Sequence, residues 1–211
     1  QWSSSAASDV YKRQLLKSGT LFISLLQTIK EIDCVRKLAD KKVSAFSLNL
    51  LPRTTLAQKM DVLSSQANIA GYKAVLIGSN HIGKYMPLLM TAAGTISPAR
   101  TLVIGAGVAG LQAIATAKRL GSQVEAFDVR PEVKEQVESL GAKFIEVDSD
   151  SDDGVGSGGY ASETSEEYKA KQQELMKERV GKSDIVITTA LIPNRPAPML
   201  IPKSMVETMA P

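Results

Sequence analysis

Three glycines, Gly105, Gly107 and Gly110, stand in the spacing G-x-G-x-x-G within LVIGAGVAGLQAIATAKRLG, residues 102–121. An apolar strand-like run leads into them and a helical pattern follows. In such a turn the first glycine permits the tight bend, the second lets a pyrophosphate approach the backbone, and the third lets helix and strand pack closely. The helix N-terminus then offers free N–H groups and partial positive charge to the phosphates. Asp128 ends the next strand about 20 residues further on, where an acid meets the adenosine ribose of a dinucleotide. The contact set read from this pattern is Gly105, Gly107, Val108, Ala109, Gly110, Asp128, Val129 and Arg130. A plain glycine-rich strand-to-helix turn is the competing reading, and the acid at the matching distance speaks against it.

A carboxylate at Asp128 accepts from the 2′-hydroxyl of NAD and repels the 2′-phosphate of NADP, so NAD is the expected cofactor. Arg130 leaves two readings open. A cation there can hold a 2′-phosphate, or it can simply cap or pair at the surface.

The elements that must position these groups alternate. Residues 101–104, 123–129, 143–147 and 184–190 read as strands, with helices over 108–120, 131–140 and about 162–180 between them. Pro131 opens the second helix at its first turn. A polar glycine-rich stretch, DSDSDDGVGSGGY, precedes the third. The expected fold class is α/β, a Rossmann-like doubly wound parallel sheet; such sheets usually have about six strands, so the four read here suggest a half cut short. Upstream, residues 19–26 read as a buried strand and 42–52 as a second. Between them lies a helix carrying Ile29, Ile32, Val35 and Leu38, which makes a parallel strand–helix–strand unit. Residues 61–90 form a long helical pattern, broken or bent near Gly71 and Gly78 and stopped around Pro87, followed by a short link at 96–100. The expected organisation is residues 15–64 as the end of a first α/β domain, 65–98 as a linking helical segment, and 99–211 as the dinucleotide domain.

Composition narrows the function classes. A net charge of +3, with acidic residues gathered between Glu146 and Glu178, gives no case for nucleic acid. The single cysteine, Cys34, excludes an internal disulfide and a cysteine-based zinc site. No apolar run approaches the ~18 residues of a membrane helix. His81 is the only histidine and lies in the long helical stretch, while Ser64 and Ser65 have no histidine partner in view, so a hydrolase triad is unsupported. Residues 1–14 have no hydrophobic period, and SSAASDVYKRQ resembles a translated sequencing-library adapter; they are expected to lie outside the fold. On that reading the chain is truncated at its N-terminus.

GVAGLQAIATAKRLG and DVRPEVKEQVESLGAKF, together with PRTTLAQKMDVLSSQANIAGYKAV, MTAAGTISPAR and ITTALIPNRPAP, resemble the NAD(H)-binding domain I of proton-translocating NAD(P) transhydrogenases. The resemblance runs from about Leu15 to Pro211. It departs at Asn194, where the family usually has glycine; asparagine also tolerates left-handed backbone. The resemblance alone implies roles for further residues. Arg53, Gln58, Asp61, Val62, Leu63 and Ser64 would lie against the nicotinamide end of NADH, with Gln58 and Asp61 as the catalytic positions and Gln58 placing the ring. Gly159 and Tyr160 would end a loop that closes over nucleotide. Gln172, Ala190 and Leu191 would contact it as well.

The implied activity is Re/Si-specific, direct hydride transfer from NADH on this chain to NADP(H) on a separate domain, coupled through a membrane domain to proton movement. The implied setting is a homodimer on the cytoplasmic side of a bacterial inner membrane, with the fragment inactive alone. Two alternatives stay open: an NAD-dependent alanine dehydrogenase of the same two-domain plan, and a non-catalytic NAD-binding module.

Overall fold

The structure, a computed structural model, describes residues 16–52, 54–147, 166–190 and 199–210. The chain divides into two compact units, residues 1–65 and 66–211.

In the first unit β1 (Leu21–Ser24) and β2 (Ser44–Ser47) pair in parallel, with α1 (Ile32–Asp40) between them in sequence. Leu26, Cys34, Leu38 and Val43 form its small core, with Phe22 packed against it. The helix forms as the spacing suggests and buries Cys34 and Leu38, while Ile32 and Val35 stay exposed. One expectation fails here: β1 is not buried, since Leu21 and Ile23 are each 58% exposed. Two strands give one covered face, and alternate residues along β1 must point to the other.

In the second unit four strands make one parallel sheet in the order β7-β6-β5-β8: β7 (Lys143–Phe144), β6 (Gln123–Phe127), β5 (Arg100–Ile104) and β8 (Ile185–Thr188). Side chains along β5 alternate between two cores. Val103 packs on one face with Val75, Ala113, Ile114 and Val137. Leu102 and Ile104 pack on the other with Met176, Val180 and Met205. The first face is therefore covered by α2 (Val62–His81), α3 (Val108–Arg119) and α4 (Lys134–Ser139), and the second by α5 (Glu166–Gly181) and α6 (Lys203–Val206). Helices on both faces of a parallel sheet are the doubly wound architecture that the alternation predicts. Among the described residues no helix is long and apolar enough to cross a membrane.

α2 runs through Gly71 and Gly78 as one helix, so the chain is not broken there. A β-carbon on Gly71 would come within 2.0 Å of the Ala109 carbonyl oxygen, and one on Gly78 within 3.0 Å of Ile185. These glycines serve close packing, not helix breaking. After α2 the chain forms an antiparallel hairpin, β3 (Leu89–Thr91) with β4 (Gly94–Ile96), where the sequence suggests helix end and link. Gly94, at φ +124°, makes that turn in a conformation L-residues rarely adopt.

Gly71→Ala should lower unfolding stability by roughly 2 kcal/mol or more, because backbone must move to admit the methyl group. Gly83→Ala, which meets nothing within 4 Å, should stay within about 0.5 kcal/mol. Urea unfolding of both variants checks this; equal effects would show that α2 and α3 are not in backbone contact.

Candidate functional site

The chain leaves β5 at Ile104 and turns at Gly105, whose φ of +100° is a glycine conformation. Gly105 N–H still donates to the Phe127 carbonyl at 2.7 Å, so the ladder with β6 continues one residue past the strand. Gly107 is the N-cap of α3 and offers no capping side chain to the first-turn N–H groups. The strand order places this turn at a topological switch point. From β5 the chain proceeds to β6 and β7, then crosses back to β8 on β5's other side. Open α/β sheets bind ligands outside the carboxyl ends of their strands at this position.

The three glycines differ in why they are needed. A β-carbon on Gly110 would fall 1.8 Å from the Gly105 carbonyl oxygen. One on Gly105 would fall 2.7 Å from the Thr189 hydroxyl and 3.0 Å from the Ala190 nitrogen. Protein packing thus accounts for both. Gly107 is another matter. Its φ of −80° suits any residue, and a β-carbon there would meet nothing within 4 Å. Among the described residues, neither backbone conformation nor packing asks for glycine here.

Asp128 immediately follows β6, with its side chain 6% exposed. Its Oδ2 accepts from Ala106 N–H at 2.6 Å and from Arg130 Nη2 at 3.1 Å. Its Oδ1 accepts from Arg130 N–H at 2.9 Å and Arg130 Nε at 3.0 Å. Arg130 thus forms a bidentate ion pair with the acid beside it. Burial alone would raise the Asp128 carboxyl. Hydrogen bonds from the Arg130 guanidinium and from the Ala106 and Arg130 N–H groups outweigh that and hold it below the usual carboxylate range.

The remaining sequence-predicted positions fall in two groups. Gln58 opens a 3-10 turn, Gln58–Met60, and is exposed. Asp61 caps α2: its Oδ1 accepts from Ser64 N–H at 2.9 Å and its Oδ2 from the Ser64 hydroxyl at 2.6 Å, an N-cap arrangement. Val62, Leu63 and Ser64 form the half-buried first turn of that helix. In the second unit Val129 is exposed beside Asp128, Gln172 is half-buried on α5, and Ala190 lies against Gly105. Arg53, Gly159, Tyr160, Leu191 and Asn194 lie outside the described residues. His81 is exposed, with Nδ1 2.8 Å from the Ile77 carbonyl oxygen.

Sequence reading passes over Thr189. Its hydroxyl donates to the Gly105 carbonyl at 2.8 Å and fills the space between Gly105 and Gly110. The available signal is a hydroxyl residue at the C-terminal end of the strand that returns beside the glycine loop, which needs the strand order to interpret.

Comparison with known families agrees with this architecture. The family model for the alanine dehydrogenase/PNT C-terminal domain matches residues 74–211, and that for the N-terminal domain matches residues 8–70. The chain belongs to the alanine dehydrogenase/PNT family. The N-terminal match begins inside the fourteen residues expected to stand apart from the fold. An NAD(P) transhydrogenase alpha-subunit protein of Rhodospirillum rubrum is 51% identical over 198 residues, 93% of this chain and 52% of that relative. The solved transhydrogenase from Sinorhizobium meliloti is 47% identical with a TM-score of 0.81, covering 94% of this chain and 53% of that one. A solved L-alanine dehydrogenase shares the fold, with a TM-score of 0.69 at 22% identity, covering 95% of this chain and 50% of that one. The chain spans about half the length of these family members.

Because the folded Asp128 carboxyl is held below its unfolded value of about 3.9, its bonds stabilise the fold above about pH 4 and lose effect as pH falls through the folded value. Arg130→Ala should therefore lower stability at pH 7 by about 1 kcal/mol. That difference should shrink as pH falls below about 4 and through the lowered folded value. Urea midpoints of both chains across this range check the sign; a difference that grows on acidification would refute it.

Proposed function

We propose that this chain is the NAD(H)-binding component of an NAD(P) transhydrogenase, an oxidoreductase that presents NADH for direct hydride transfer to NADP+ on a separate domain. The observation that carries the reading is Gly107. The described residues give no reason for glycine there, and a pyrophosphate approaching the backbone at a helix N-terminus does. Gly105, Gly107, Val108, Ala109 and Gly110 would hold the pyrophosphate, and Asp128 would accept from the adenosine ribose. Val129, Arg130, Gln172, Ala190 and Leu191 would complete the nucleotide contacts, with Gly159 and Tyr160 on a closing loop. Arg53, Gln58, Asp61, Val62, Leu63 and Ser64 would serve the nicotinamide end.

When bound, the nicotinamide supplies the hydride, and transfer between two such rings needs close alignment without an acid or base. The assigned residues therefore bind and orient. Asp128 and Arg130 bear on which dinucleotide binds. An ionised carboxylate has about four acceptor sites, and here four N–H groups already point at it. A ribose hydroxyl takes over one Arg130 bond, whereas a 2′-phosphate meets the negative charge itself.

In this reading residues 15–64 end a first domain, 65–98 link, and 99–211 form the nucleotide domain. The chain acts as a homodimer at the cytoplasmic side of a bacterial inner membrane, with partner domains that bind NADP(H) and span the membrane, and Re/Si-specific transfer is coupled to proton translocation. The alanine dehydrogenase alternative has weaker support, with 22% identity in its solved structure against 47% for the transhydrogenase.

The test is titration of the chain into NADH and NADPH, followed by nicotinamide fluorescence. NADH should bind at least about tenfold tighter, since one hydrogen bond to a charged group is worth roughly 1.5–3 kcal/mol. Asp128→Ser should abolish the preference. Equal or tighter NADPH binding by the unsubstituted chain would overturn the assignment to the NAD side.

A further inference from the structure

The peptide unit joining Gly105 to Ala106 is gripped at both ends. Its N–H donates to Asp128 Oδ2 at 2.6 Å, from the end of β6. Its carbonyl accepts from the Thr189 hydroxyl at 2.8 Å, from the residue after β8. The two side chains reach it from opposite neighbours of β5, because the strand order puts β6 and β8 on either side. Thr189 is itself anchored, since its N–H donates to the Ile104 carbonyl at 2.8 Å.

A peptide is planar, so fixing its oxygen and its nitrogen fixes its orientation. The N–H groups that come next, at the cap of α3, inherit that orientation. Gly105, at φ +100° and with no side chain, is the residue best able to let this peptide rotate if one grip is lost.

We infer that Thr189 is a positioning residue for the dinucleotide phosphates, acting through the Gly105 carbonyl. It touches neither nucleotide nor reacting atoms. Its hydroxyl holds one edge of the loop's first peptide while Asp128 holds the other. The two grips have separable consequences. Asp128 also faces the ribose, whereas Thr189 bears only on how the loop presents N–H groups to phosphate. The inference rests on the proposed nucleotide site.

Thr189→Val and Thr189→Ser test it, using calorimetric titration with NADH and with adenosine, which lacks phosphate. Valine keeps the shape, removes the donor and leaves the Gly105 carbonyl unsatisfied; serine restores the donor. The valine chain should bind NADH roughly tenfold more weakly than wild type while adenosine binding is unchanged, and the serine chain should recover NADH binding to within about twofold. A general loss of structure would weaken both ligands together, and that outcome, or valine binding NADH as wild type does, overturns the role for Thr189. If serine binds NADH as weakly as valine, the hydroxyl is not the operative group, and the inference fails likewise. Failure of the unsubstituted chain to bind NADH would instead overturn the nucleotide site itself.

Discussion

The hydrogen bond from Ala106 N–H to the Asp128 carboxylate ties the glycine loop to the neighbouring strand, and much of the site depends on it. Its charge-assisted strength requires an ionised acceptor, in a position only 6% exposed. Arg130 meets that requirement with a bidentate pair that offsets the burial penalty. The same carboxylate thus fixes the loop and sets the local charge, and in the proposed function it would also face the ribose. Removing it would disturb all three at once, which is why the effects of Arg130 and Thr189 separate its functions better than loss of the acid does.

The sheet explains how such distant residues meet. Asp128 and Thr189 lie on either side of Gly105 because β6 and β8 flank β5 in parallel register, Ile104 lying opposite both Phe127 and Thr188. Strands buried on both faces are apolar almost throughout, so their side chains carry little chemistry. The polar groups collect where the strands end. α3 then starts at the same edge, and its close packing against α2 through Gly71 and Ala109 leaves little freedom to its first turn.

How much of this is legible in sequence depends on whether the signal is local. The glycine spacing, the acid after the next strand and the alternation of strands with helices are local patterns, and they locate β5, α3, β6 and Asp128 correctly. Arg130 is not resolved by sequence, because pairing with Asp128 and binding a phosphate demand the same residue type. Gly71 reads as a helix breaker since its partner, the Ala109 carbonyl, is 38 positions away in sequence and invisible to periodicity. Thr189 escapes for the same reason: its role exists only once strand order is known. The β3–β4 hairpin is hidden because its strands are three residues each, too short to show alternation. In the first unit, apolar residues suggest core although a two-stranded sheet covers only one of its faces.

The most direct measurement is the set of backbone amide chemical shifts of the ¹⁵N-labelled chain during addition of NADH. If the turn after β5 cradles the pyrophosphate, the amides of Gly107, Val108 and Ala109 should move most, saturating together with those of Ala106 and Val129. Shifts confined to other segments, with the glycine-loop amides unmoved at saturation, would contradict the central claim.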